Sequence, residues 1–528
     1  MKVCLTIFQC FILCSIFGQG QTVGLFALEA DQAYEAFTLY APLESTDTYL
    51  INNCGQVINQ WPSEFTPGTA AYLDDQAHLW RTGTNRVDNE FRHSGTGGFL
   101  QRIDWSGELL WQAELPGAHH DFHIMPNGNI LYTAWEKIDR AFLLSLGFQN
   151  TDMEEFWSEV VYEIAPSGSS DYELIWEWHA IDHIVQSVDP SLPNFISSPS
   201  PRRIDVNIPG DDDDDWLHIN SIDYDEQNDQ ILLSVRNLNE IWVIDHSTTI
   251  EEASSSEGGQ GGFGGDLLFR FGNELIYNDS GETLFDGQHN ARFLDDRISL
   301  FDNGRTRMSS APVVILPELA GDGSFILDST FMASIDSSYV DLNMDFEFDS
   351  PILSSFEILP NGNLLICSGN NTRIYELNSD LELVWHYRGT VSLFGPIEQG
   401  SGVIGSTFNV SKYAVDDFRF DGLDVSVKAP SIEINPLNLD CRVNATKDED
   451  APLRIPFYYA EGFLRTASDV DLSAFDFSIH IYNSLGQQMV SNSRKSTEID
   501  LRNLESGFYF AVMVDSNART YSFPFVKN

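Results

Sequence analysis

Short runs of alternating hydrophobic and polar residues, rich in Val, Ile, Leu, Phe and Tyr, follow one another along almost the whole chain. Asn-Gly, Ser-Gly, Asp-Gly and Pro-Gly turns separate them. Apolar residues at the 3.6-residue helical period are nearly absent, so the pattern predicts strands joined by tight turns and an all-β protein. The 36 Phe and 11 Trp strengthen that reading, because aromatic side chains suit a pleated, half-buried surface.

The runs echo one another. Residues 99–135, FLQRIDWSGELLWQAELPGAHHDFHIMPNGNILYTAW, and residues 356–388, FEILPNGNLLICSGNNTRIYELNSDLELVWHYR, share a PNGN turn followed by an aliphatic pair. They also share a strand-turn-strand unit ending in Glu-Leu-x-Trp. Looser copies stand at 48–61 (TYLINNCGQVINQW), 161–178 (VYEIAPSGSSDYELIWEW) and 219–245 (INSIDYDEQNDQILLSVRNLNEIWVID). A repeated β unit that cannot bury its own faces implies a β-propeller, here one of six blades. An array of β-sandwiches would match the spacing but not the recurring strand grammar. EEASSSEGGQGGFGG (251–265) reads as a long surface loop, and the run Asp211–Asp215 as a solvated acidic loop, since it lacks the ligand spacing and turn glycine of a calcium loop.

The organisation that follows is a signal peptide at 1–20, a propeller at 21–435, a linker at 436–454 and a small β-sandwich at 455–528. The first segment, MKVCLTIFQCFILCSIFGQG, has a lysine, then an apolar stretch too short to span a bilayer, then small residues; this is the form of a cleavable export signal. No later segment reaches transmembrane length. Beyond the signal only Cys54, Cys367 and Cys441 remain, an odd number that cannot form a complete disulfide framework. The formal net charge of −50 makes nucleic acid and anionic lipid poor partners. An anionic substrate must be held by local basic groups, within a far field that salt screens over about 8 Å.

Three histidines occupy matching places in the repeat. His120, His218 and His289 each precede a strand, a tight turn and a return strand beginning at Ile130, Ile231 or Ile298. Five positions beyond those isoleucines stand Trp135, Arg236 and Asn303. Equivalent positions of propeller blades lie on one ring, and antiparallel return strands come back to the same rim. All six residues should therefore meet at one mouth of the central channel. A single histidine at a strand end is ordinarily a hydrogen-bonded structural residue, and a single arginine in so acidic a chain an ion-pair former. Three repeat-equivalent histidines with an arginine point to chemistry. No carboxylate pair at a shared position suggests glycoside hydrolysis, and no phosphate-binding loop is present. Metal ligation by the three histidines is less suited to the arginine beside them, and no metal site is expected. The guanidinium fork and neutral imidazoles suit an oxyanion undergoing sulfuryl or phosphoryl transfer.

DWLHINSIDYD (215–225), LLSVR (232–236), GGDLLFRFGNELIY (264–277), QHNARFLDD (288–296) and ISLFDNGRTR (298–307) resemble the bacterial arylsulfate sulfotransferase family. HHDFHIMPNGNIL (119–131) fits as well, and the likeness spans roughly residues 25–425. It implies a six-bladed propeller that moves a sulfuryl group from an aryl sulfate to a phenolic acceptor through a sulfohistidine, with no cofactor and no nucleotide sulfate donor. On the matching positions it implies His289 as nucleophile. His218, Asn220 and Arg236 would hold the sulfuryl oxygens, and His120 would complete the cradle and serve the leaving phenolate as acid. Thr407, in the looser match at 405–424, would be a further sulfate contact, while His119, His123 and Asn290 would be structural. IYNSLGQ (481–487), IDLRNLESGFYFAV (499–512) and the terminal FVKN resemble the C-terminal sorting domain of the type IX secretion system of Bacteroidota. This implies the secretion machinery as a partner and a secreted or cell-surface location. A non-catalytic propeller binding sulfated or phenolic ligands is the alternative that these residues leave open.

Overall fold

The computed structural model describes residues 21–437 apart from 85–94, 151–154, 209–213, 277–280, 322, 328–332, 341–349 and 404. Beyond residue 456 it describes the strands and the 501–504 turn of a C-terminal unit. The expected signal peptide and nearly all of the expected linker lie outside the described residues.

Six antiparallel sheets follow one another around a ring. From the axis outward, blade 2 holds Pro67–Leu73, Leu79–Thr84, Gly98–Ile103 and Leu109–Glu114. Blade 3 holds Ala118–Ile124, Ile130–Lys137, Trp157–Ser167 and Asp171–His179; blade 4 holds Ile219–Asp225, Gln230–Val235, Glu240–Asp245 and Phe269–Phe271. Blade 5 holds His289–Leu294, Arg297–Asp302, Ala311–Pro317 and Ala333–Ile335. Blade 6 holds Ser355–Ile358, Leu364–Ser368, Arg373–Leu377 and Leu383–Arg388, with Gly24–Leu28 added as a fifth, outer strand. Blade 1 joins the two ends of the ring. Its outer strands are Ala36–Pro42, Thr48–Asn52 and Val57–Trp61, and its innermost strand is Thr407–Ala414, from the far end of the propeller sequence.

The recurring Glu-Leu-x-Trp grammar has a physical cause. The tryptophan of a blade's fourth strand donates its indole N–H to the turn between the third and fourth strands of the next blade. Trp61 reaches the Asp104 carbonyl at 2.8 Å, Trp111 the Asp171 carbonyl at 2.9 Å, Trp176 the Thr248 hydroxyl at 3.1 Å and Trp385 the Asn53 carbonyl at 2.8 Å. Each large apolar ring fills the space between two blades while its one polar atom is satisfied. The aligned stretch 99–135 therefore crosses a blade boundary, whereas 356–388 is one whole blade.

One sequence expectation needs correction. The Gly/Ser-rich stretch is, as expected, a long and largely exposed connection, here within blade 4, and it opens with a one-turn helix Ile250–Ala253 begun by a Thr249–Glu252 capping box. Its Gly265 carbonyl accepts the Trp178 indole N–H at 2.8 Å. Asp215, the last of the acidic run, is fully buried rather than solvated. Of the cysteines, Cys54 is disulfide-bonded and Cys367 is a buried free thiol.

The C-terminal unit is a small β-sandwich. One sheet holds Phe457–Ala460, Phe463–Thr466 and Glu498–Asp500; the other holds Gln488–Asn492, Phe477–Asn483, Gly507–Asp515 and Thr520–Lys527.

Candidate active site

The inner strands of blades 1 to 5 each lose register where they reach one end of the channel. The breaks fall at 407–410, 67–71, 119–122, 219–221 and 289–292. A bulge re-aims side chains that a regular strand would send into the interblade core. His120 (φ 48°), His218 (φ 51°) and Asn290 (φ 56°) adopt left-handed backbone at these breaks. That conformation costs a non-glycine residue on the order of 1 kcal/mol or more, and three such residues at one place mark a functional constraint.

The structure brings His120, His218, His289 and Arg236 together. The His120 and His218 ring centroids are 4.5 Å apart, and the Phe408 ring lies 6.1 Å from that of His120 and 6.3 Å from that of His289. Burial pulls the His120 imidazole well below its ordinary pKa, and the neighbouring charges of His218, His119, His289 and Arg236 push it further down. Burial likewise pulls His289 down to about 3, with the Arg236 guanidinium as the next cause. Both rings are therefore neutral near pH 7.

Their partners fix the rings. His289 Nδ1 faces two acceptors, Asn303 Oδ1 at 2.7 Å and the Gly287 carbonyl at 3.0 Å. Asn303 Nδ2 is committed to the Ser350 and Leu353 carbonyls at 2.6 and 2.9 Å, so its oxygen is the acceptor. His289 thus carries its proton on Nδ1, and the lone pair sits on Nε2. His218 Nδ1 meets Asp215 Oδ2 at 2.5 Å, while Asp215 Oδ1 accepts the Trp135 indole N–H at 3.1 Å. Arg236 donates to Asn237 Oδ1 at 2.7 Å, and Asn237 is held in turn by the Asp215 carbonyl at 2.6 Å. His120 Nδ1 meets His119 Nδ1 at 2.8 Å.

Asn220 and Thr407 stand in the walls. Both are fully buried, whereas His289, His120, His218 and Arg236 keep 3%, 4%, 4% and 7% of their surface open. Asn220 Nδ2 donates to the Gln288 carbonyl at 2.8 Å, tying blade 4 to blade 5. The Thr407 hydroxyl is turned to the Ala41 and Asn409 carbonyls at 3.0 and 3.2 Å, which commits its one proton to backbone. Asn290 stands in the wall, its Oδ1 accepting from the Phe356 amide at 3.1 Å, whereas His123 lies toward the opposite end of its strand, beside Met125 and Tyr224, and pairs there with Asp223 at 3.1 Å.

Sequence reasoning missed four participants. Asp215 could have been found, three residues before His218 in DWLH. Glu159, whose Oε2 lies 2.7 Å from His119 Nε2, belongs to the third strand of blade 3, where no motif points to it. Arg305 adds positive charge beside His289. Gly95 lies against the His120 ring, and a Cβ there would sit 2.1 Å from Nε2.

A neutral imidazole with a bare Nε2, a guanidinium and two further imidazoles in a buried throat can hold a tetrahedral oxyanion and attack its central atom. The pattern of the secretion system C-terminal sorting domain matches residues 464–527, which marks the chain for export to the cell surface or beyond. No curated protein matches the chain. Similar solved structures include a protein of unknown function from Bacteroides caccae, at 12% identity and TM-score 0.39, covering 72% of this chain and 98% of that one. Periplasmic gluconolactonase of Pseudomonas aeruginosa is similar at 11% identity and TM-score 0.36, covering 88% and 98%. The pattern of the arylsulfotransferase family (ASST) matches residues 66–384, more than half of the chain and all of blades 2, 3, 4 and 5, and the chain belongs to that family.

Proposed function

We propose that the protein transfers a sulfuryl group from an aryl sulfate to a phenolic acceptor through a sulfohistidine on His289. The observation that carries this reading is the Nδ1–H of His289 held on Asn303 Oδ1, which leaves Nε2 as an unprotonated nucleophile at neutral pH. Nε2 attacks sulfur; the N–S bond forms as the bond from sulfur to the phenolic oxygen breaks. Arg236, His218 and His120 surround the sulfuryl oxygens. Fixed donors of this kind stabilise developing charge by about 2.7–4 kcal/mol each. His120 Nε2 gives the leaving phenolate its proton. An acceptor phenol then gives its proton to His120 Nε2, its oxygen attacks the same sulfur, and the N–S bond breaks to return neutral His289. Two displacements at one nucleophile make a ping-pong scheme. Asn220 and Thr407 serve the site by fixing the wall at the blade 4–blade 5 seam and the closing strand.

Mass spectrometry after brief exposure to 4-nitrophenyl sulfate tests the proposal. A sulfuryl adduct is expected on the peptide containing His289 and absent in His289→Asn. Folded wild-type protein that releases no phenol from any aryl sulfate would overturn it. Ligand binding unchanged in His289→Asn, with no turnover by wild type, would instead favour the non-catalytic propeller.

A further inference from the structure

Behind His120 runs a row of buried groups that the transfer chemistry above does not use. His120 Nδ1 meets His119 Nδ1 at 2.8 Å, His119 Nε2 meets Glu159 Oε2 at 2.7 Å, and Glu159 Oε1 accepts the Ile219 amide N–H at 2.9 Å. His119 and Glu159 are shut away from solvent, and the Trp135 ring stacks on His119 with centroids 3.9 Å apart. Neither His119 nor Glu159 reaches the throat, so a purely structural pair would be an expensive way to fill that space.

We propose that Glu159 is the proton store of the reaction and that His119 relays its proton to and from His120. Two imidazole nitrogens facing each other can share only one proton, so the tautomers of His119 and His120 are locked together. With the proton on Glu159 Oε2, the carboxyl donates to His119 Nε2, and His119 Nδ1–H donates to His120 Nδ1. His120 then presents Nε2–H, an acid. With Glu159 ionised, every bond in the row reverses, and His120 presents a bare Nε2, a base. One proton shift thus converts the acid needed for the first half-reaction into the base needed for the second.

The surroundings favour the store being full at rest. Burial raises the Glu159 carboxyl well above its ordinary range, and the nearby Asp215 carboxylate raises it further, against the lowering effect of the Ile219 amide. Burial holds His119 down to about 3. Asp215, which accepts from both His218 and Trp135, is the carboxylate of the two.

The balance closes. As the phenolate leaves sulfur, the N–H bond at His120 Nε2 breaks and the phenolic O–H forms. His120 Nδ1 takes the proton of His119 Nδ1, His119 Nε2 takes that of Glu159, and both rings end neutral. Glu159 ends as the carboxylate, carrying the charge the phenolate lost. The acceptor phenol later gives its proton to His120 Nε2, and the row runs backward until Glu159 is refilled. His120 is the catalytic group; His119 and Glu159 act through it.

This inference rests on the sulfuryl-transfer reading, and its test separates the two. Donor kcat/KM, which in a ping-pong scheme reports only sulfohistidine formation, is measured for wild type and Glu159→Gln at one fixed acceptor concentration. The donors run from 4-nitrophenyl sulfate, whose phenolate needs no proton to leave, to phenyl and 4-methylphenyl sulfate, whose phenolates do. Glutamine keeps an acceptor for the Ile219 amide and a donor for His119 but cannot release a proton. The expected loss is within about 3-fold for 4-nitrophenyl sulfate and on the order of 100-fold for the poor leaving groups, the scale of general acid catalysis. A wild-type proton inventory with phenyl sulfate should be curved, since several protons move in one step. An equal loss for all donors, no loss for any, or a linear inventory would overturn the relay while leaving the function intact. An inactive, folded wild type would overturn both. Should Glu159→Gln fail to fold, the wild-type inventory decides alone.

Discussion

His289 Nδ1 and Asn303 Oδ1 are 2.7 Å apart, and Asn303 has no choice of orientation because both hydrogens of its amide are held by backbone carbonyls of the segment leading into blade 6. The nucleophile's tautomer is therefore set by a neighbouring blade. Asn303→Leu should lower kcat roughly 10- to 100-fold with little change in donor KM, since the ring loses its orientation and not its contacts to sulfate. It should also cost about 1–3 kcal/mol of stability through the orphaned Ser350 and Leu353 carbonyls. Asn303→Asp separates the effects: the acceptor survives and most of kcat with it, while the two carbonyls still lose their donors. Steady-state rates and thermal melts of the two variants read this directly.

The same nucleophile has a signed pH dependence. Burial first and Arg236 second hold the folded-state pKa of His289 down to about 3, below the ordinary value near 6.5. Between those values the unfolded chain takes up a proton that the folded chain refuses, so this group subtracts stability as the pH falls, by up to ~1.4 kcal/mol per pH unit. Above about 6.5 it contributes nothing. His289→Asn should accordingly lose less stability than wild type on acidification through that window, as followed by denaturant melts at several pH values. The His289 ring resonance in wild type, identified by its absence in His289→Asn, should not titrate between about pH 8 and pH 5. Replacing Arg236 by Met removes a positive neighbour and should move the titration upward.

Gly95 is the least obvious residue of the site. Its φ of 83° disfavours any side chain, and a Cβ would lie 2.1 Å from His120 Nε2 and 2.2 Å from Cε1, where a ring pinned on its other side by His119 has no room to yield. Gly95→Ala should displace the acid without touching His289. Turnover should fall for both donors, because His120 also contacts the sulfuryl oxygens, and fall further for phenyl sulfate, which in addition loses its acid, with the sulfuryl adduct on His289 still detectable by mass spectrometry.

The propeller and its three histidines were legible because repetition writes them into sequence. The Glu-Leu-x-Trp tryptophans recur, so periodic alignment finds them, and the equal offsets from the histidine strands placed Trp135, Arg236 and Asn303 on the right rim; the bulges of the inner strands show only in the structure. What stayed hidden is what depends on register between strands of different blades. Glu159 enters the site because it pairs opposite Trp135 within blade 3 and beside blade 4's Ile219. Asp215 looked like one more solvated carboxylate in an acidic run, and only its hydrogen bonds with His218 and Trp135 show otherwise. The expectations for Asn220 and Thr407 came from motif position alone, and a motif does not say which way a side chain turns on a bulge.

Ring closure offers the sharpest test of the architecture. Thr407–Ala414 is the innermost strand of blade 1, and its Lys412 is fully buried against Glu376 of blade 6 at 2.5 Å, 4.0 Å from the centre of the Trp385 ring. Together with the Ser354 amide, which donates to the Phe408 carbonyl at 3.1 Å, Lys412 fastens the last strand to the blade on its other side. Lys412→Met should cost about 3–5 kcal/mol, because the Glu376 carboxylate is left buried without its cation. We place the end of the propeller at residue 435, so a chain stopped there, which loses the Cys54 disulfide because Cys367 is free, should still melt cooperatively, at a lower temperature than the full chain, and keep sulfuryl transfer while losing export. Stopping instead before Gly405 leaves Ala36–Pro42 with a bare edge on the channel side and blade 1 one strand short. That chain should aggregate on size-exclusion chromatography and show no cooperative melt. If it behaved like the longer one, the closing strand would not be what holds the ring together.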